Sequence, residues 1–154
     1  MAEEQPKFEL GRTELTSPTG FNGHKDMTLD EMASLHPGLA ILMPMVGTRW
    51  WNVFYAAKES NWQLATFQVR EAISLMNKGV QTRPRYAEAI AEFIDKDLGP
   101  VLAALNNKDF VTFEKAFHAA TDRANEYHEE FKKGYLVWKL PDHPNPQVDF
   151  TPRD

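Results

Sequence analysis

Residues 51–65, Trp51-Asn52-Val53-Phe54-Tyr55-Ala56-Ala57-Lys58-Glu59-Ser60-Asn61-Trp62-Gln63-Leu64-Ala65, decide how this chain folds. An apolar run ends in a Lys-Glu pair. Ser60 with Gln63 then has the spacing of a capping box, so one helix stops and the next starts within a few residues. Upstream, Leu39, Met43, Val46, Trp50, Phe54 and Ala57 recur at steps of three and four, the period of an amphipathic helix. Pro44 lacks a donor N–H and is expected to bend this helix or mark its start. Downstream, Trp62, Ala65, Val69, Ile73 and Met76 repeat the pattern as far as Lys78-Gly79. Amphipathic helices joined by so short a turn pack as antiparallel neighbours.

Two further helices follow. Thr82-Arg83-Pro84 is a start signal for a third, carrying Tyr86, Ile90, Phe93, Ile94, Leu98, Val101 and Leu105, with Gly99-Pro100 expected to kink it. Asp109 is a plausible N-cap for a fourth, with Phe113, Phe117, Ala120, Ala124, Tyr127, His128 and Phe131 inward or near the boundary. Lys132-Lys133-Gly134 is expected to end it, basic residues suiting a helix C-terminus. The fold expected is all-α, an antiparallel four-helix bundle over residues 28–134. It opens with a short capped turn at Thr28-Leu29-Asp30-Glu31. Residues 1–27 read as an irregular N-terminal arm. Residues 135–154, with Pro141, Pro144, Pro146 and Pro152, read as an irregular tail laid back on the bundle through Tyr135, Val137 and Trp138.

With 154 residues, 42% hydrophobic and 25% charged, the chain has the composition of one globular domain. Its net charge of −5 and lack of a basic stripe argue against nucleic acid. The longest apolar stretch, near Leu39 to Val46, is too short for a membrane span. The first residues, Met-Ala-Glu-Glu-Gln-Pro-Lys, have no apolar signal core. A cytoplasmic protein is expected unless a leader precedes this sequence.

Thr121-Asp122-Arg123-Ala124-Asn125-Glu126-Tyr127-His128 has the frame of a c-type haem attachment motif, Cys-x-x-Cys-His. The histidine is kept, and Ala124 and Tyr127 stand where the cysteines would be. Together with the Trp51–Ala65 corner, the Pro100 helix leading into Lys108-Asp109-Phe110, and the Pro141–Phe150 tail, this run resembles a family of bacterial cytochrome c′-like four-helix bundle proteins. The resemblance covers roughly residues 36–150. It implies the bundle fold but not the family's haem chemistry, because a chain without cysteine cannot form the thioethers. Haem held without thioethers is not expected either, since Tyr127 occupies the expected porphyrin edge. No cofactor is therefore assigned.

A bundle end emptied of haem suggests a pocket for a small aromatic ligand. Arg49, Trp50, Trp51, Tyr55 and Trp62 would line it. His128 would be a general acid or base, assisted by Tyr127 or Glu126. Arg49 adjoins the Trp pair and would clamp an anion; Arg70 and Arg123 are other candidates that read more simply as surface ion-pairing residues. The chemistry suggested is a cofactor-independent lyase or isomerase acting on an aromatic compound. Two other readings use the same residues: a non-catalytic binding or accessory protein, and a homodimer joined through exposed aromatics. In the plainest reading, Trp50 and Trp62 are core and His128 is a hydrogen-bonded boundary residue. No metal is assigned. No helix carries Glu-x-x-His, the trio Glu114, His118 and Asp122 lacks a second helix of ligands, and His24 and His143 lie in loops without partners.

Overall fold

A computed structural model describes residues 18–153. The chain divides into two compact units, residues 1–36 and 37–154. In the first, β1 (Thr19–Phe21) and β2 (Asp26–Thr28) form an antiparallel ribbon with Thr19 opposite Thr28. The Asn22 side chain accepts from the amides of His24 and Lys25, both at 2.9 Å, and Gly23 supplies a φ of +94° in the turn. The irregular arm expected over 1–27 is thus corrected at its end, because Asn-Gly between short strands is a hairpin signal. The rest of that arm lies outside the described residues. Helix α1 (Leu29–Ser34) groups with this ribbon and carries the full capping box, Glu31 N–H to Thr28 Oγ1 at 3.1 Å and Thr28 N–H to Glu31 Oε2 at 2.8 Å.

The second unit is helical. Helix α2 (Leu39–Lys58) continues through Pro44 instead of starting there. The missing N–H falls in the second turn, where only one intrahelical bond is lost. Helix α3 (Trp62–Thr82) packs along α2, and Gly79 lets Leu39 lie against its backbone. Asn61, not Ser60, caps α3 by accepting from the Leu64 amide at 3.1 Å. Ser60 is used to close α2, with φ +59°.

After a 3₁₀ turn at Pro84–Tyr86 come α4 (Ala87–Phe93), a π-helical turn at Ile94–Leu98, and α5 (Gly99–Asn106). The expected kink at Gly99-Pro100 is taken up by this wider turn, in which the Gly99 amide reaches the Ile94 carbonyl. Helix α6 (Phe110–Glu130) begins at an Asp109 cap that accepts from Thr112 N–H at 3.1 Å. It packs against α5, α4 and α2.

The core is aromatic at its centre. Phe113 and Phe117 of α6 are fully buried against Trp50 and Phe54 of α2. Around them lie Val53, Ala65, Val69, Leu98, Val101 and Leu105. Each buried Val, Leu or Phe among them contributes about 1.5–3 kcal/mol of transfer free energy. The tail runs back over the helices. Trp138 fits against Gly47, where an added Cβ would stand 2.8 Å from the indole nitrogen. Phe150 is buried, and Asn145 donates to the buried Asn52 at 3.2 Å.

Candidate ligand-binding site

The residues marked out in the sequence are held by separate partners. Trp50 is core: its ring stacks on Phe117 at 4.3 Å, and its Nε1–H donates to Thr121 Oγ1 at 2.8 Å. Arg49, one residue earlier, turns to α3, donating to Gln68 Oε1 at 3.1 Å and lying 5.8 Å from the Phe67 ring centre. Trp51, one residue later, donates to the His143 carbonyl at 2.8 Å, and Tyr55 donates to the Pro141 carbonyl at 2.8 Å. Both therefore hold this chain's own tail. Burial pushes the Tyr55 phenol up from its ordinary pKa. A shallow depression of about 170 Å³ remains beside Trp51, shared with Pro44, Gly47, Thr48, Trp138 and Pro141.

The expected acid/base pair does not converge on a common space. The Leu136 carbonyl can only accept, so His128 donates its Nδ1 proton to it at 2.7 Å, which leaves Nε2 as the basic nitrogen. Tyr127 faces α4. Its hydroxyl donates to Glu92 Oε2 at 3.0 Å, and the Arg123 guanidinium lies over its ring at 3.9 Å. Burial, followed by the bond to Glu92, pushes the Tyr127 phenol up. A phenol raised in this way is a poor proton acceptor at neutral pH. Arg123 is committed to Glu130 at 2.8 Å and Glu126 at 3.0 Å. Glu126 is thereby engaged as well.

Trp62 alone of the expected wall residues lies on a wider concavity. Gln63, Thr66, Phe67 and Arg70 follow it along α3 at the three- and four-residue steps of one helix face. Leu105 and Asn106 at the end of α5, with Lys108, form the opposite side of an open groove of about 430 Å³. Leu105 is buried beneath it, Phe67 is half exposed, and Arg70 and Lys108 are exposed. Lys108 is set at the α5–α6 corner with φ +54°. Its neighbour Asp109 is occupied at the α6 cap, where bonds from Thr112 hold its carboxyl below the usual range.

Phe67, Gln63, Asn106 and Lys108 are absent from the sequence reading of the site. Their one visible signal is Phe67, an aromatic that shares the exposed face of α3 with Trp62, Gln63, Thr66 and Arg70. Among the described residues, no group of three His, Asp or Glu side chains is arranged to hold a metal ion, and no helix is long and apolar enough to cross a membrane. No protein-family model, curated protein or solved structure matches the chain.

Proposed function

We propose that this chain is a haem-free four-helix bundle of the cytochrome c′ type that serves as a non-catalytic binding module for a small aromatic compound. The reading is carried by one observation: Trp62 and Phe67 line the α3 side of an open groove of about 430 Å³. That volume lies within the roughly 300–1,000 Å³ typical of small-molecule sites. Two aromatic walls with polar groups between them suit a flat ring. The bundle and its family rest on the antiparallel α2–α3 corner, the partners of α6 and the sequence resemblance.

The binding reading is favoured over acid/base catalysis because His128 and Tyr127 line neither this groove nor the depression beside Trp51. It is favoured over a dimer joined through Trp51 and Tyr55 because the tail takes their hydrogen bonds. Titration of tryptophan fluorescence with a panel of phenolic and aryl compounds tests it. Saturable binding is expected, lost in Trp62→Ala and Phe67→Ala, unchanged in His128→Ala, and without turnover. Turnover abolished by His128→Ala would return the protein to the lyase or isomerase class.

A further inference from the structure

The geometry points to an aromatic carboxylate as the ligand of this groove, its ring set between Trp62 and Phe67 and its carboxylate taken by Arg70 and Lys108. The inference rests on the binding-module reading and narrows it to one chemical class.

Four observations carry it. First, among the described residues the only charged side chains lining the groove are two cations, Arg70 and Lys108, in a chain whose net charge is −5. Second, among the described residues neither cation makes an ion pair, so no acid of the chain competes for the groove's positive charge. Third, the nearest acid in sequence to Lys108 is Asp109, which accepts from the Thr112 amide and hydroxyl and makes no ion pair with Lys108. Fourth, the cations come from different elements: Arg70 two turns into α3, and Lys108 at the α5–α6 corner.

The chemistry follows from these side chains. A guanidinium presents two parallel N–H donors that match a carboxylate, and an ammonium adds a point charge. The walls supply ring faces, and Leu105 an apolar floor. Gln63 and Asn106 leave amide groups for ring hydroxyls. A neutral aromatic would satisfy the walls and leave both cations without a partner.

Matched pairs of ligands test the class. Affinities of the intact protein are measured by calorimetry for benzoate and benzamide, 3-phenylpropionate and its amide, and cyclohexanecarboxylate. Each carboxylate is expected to bind at least about tenfold tighter than its amide, the range of a charge-assisted hydrogen bond. Cyclohexanecarboxylate is expected to bind more weakly than benzoate. Arg70→Gln removes the carboxylate preference and leaves the amides unchanged. Lys108→Gly does the same while raising the thermal midpoint, because glycine relaxes the left-handed backbone there. A more stable protein with weaker carboxylate binding separates loss of the clamp from loss of the fold. Equal affinity for acids and amides overturns the carboxylate class while the aromatic-binding reading stands. No saturable binding by any of the five overturns both.

Discussion

The indole of Trp50 stacks on Phe117 and gives its N–H to Thr121, whose own hydroxyl donates to the Phe117 carbonyl at 2.8 Å. Thr121→Val keeps the shape and removes the acceptor, leaving a buried indole N–H unpaired. That costs about 1–3 kcal/mol. A lower urea midpoint with an unchanged slope is expected, and an unchanged midpoint would mean that water replaces the hydroxyl. Asp97, within the π turn, is a different case. Burial, only partly offset by Arg123, holds its carboxyl above its ordinary range. An acid raised in the folded state destabilises it at any pH above the folded value. The penalty fades as pH falls through that value, and is gone below the unfolded one near 3.8. Asp97→Asn is therefore expected to raise the thermal midpoint at about pH 7, with the difference from wild type vanishing near pH 3. Glu92 slopes the other way. Its hydrogen bond from Lys96, and then that from Tyr127, hold it below 4.5, so its contribution is present above that pH and is lost in acid.

Each long helix of the second unit that ends in a tight corner ends the same way. After α2, α5 and α6, the residues Ser60, Lys108 and Lys132 take left-handed backbone with φ near +60°. Their amides reach Ala57, Leu105 and Glu129, and the following amides reach Ala56, Ala104 and His128. These paired bonds make the Schellman closure, for which glycine is the usual residue. Lys132→Gly is expected to stabilise the protein by about 1 kcal/mol, read as a higher urea midpoint. No change would show that the Lys132 side chain offsets the strain. The same corners explain what the sequence could and could not disclose. Helix spans were legible from three- and four-residue apolar spacing. The closures were not, because Ser and Lys do not announce a positive φ. Of the expected stop at Lys132-Lys133-Gly134, it is Lys132 and not the glycine that takes the left-handed backbone. At Ser60-Asn61 the closure claims the serine, so the cap of α3 passes to the asparagine.

Across the whole second unit, the site was harder to read than the fold for a geometric reason. Arg49, Trp50 and Trp51 are consecutive, so an α-helix points them about 100° apart. One meets α3, the next α6 and the third the tail. Tyr127 and His128 diverge in the same way. Three consecutive letters in a helix spread over more than half its circumference and cannot all face one pocket, whereas Trp62, Thr66 and Arg70, four apart, lie along one face. The remaining groove residues come from the α5–α6 corner, and only the packing of α5 on α3 brings them near.

The tail is grasped mainly by its main chain. Trp51, Tyr55 and Asn61 reach the carbonyls of His143, Pro141 and Phe150, and Asn125 brackets Trp138 through both its amide and its carbonyl. Groups common to every amino acid serve as the handles, so most letters of the tail are free to drift over generations provided the path survives. Trp138, Leu140, Asn145, Val148 and Phe150, whose side chains also dock, are the exceptions. Hereditary constraint falls instead on the five side chains that do the grasping, His128 with its bond to the Leu136 carbonyl among them. A descendant of this chain would be known by those five long after its tail had ceased to look familiar.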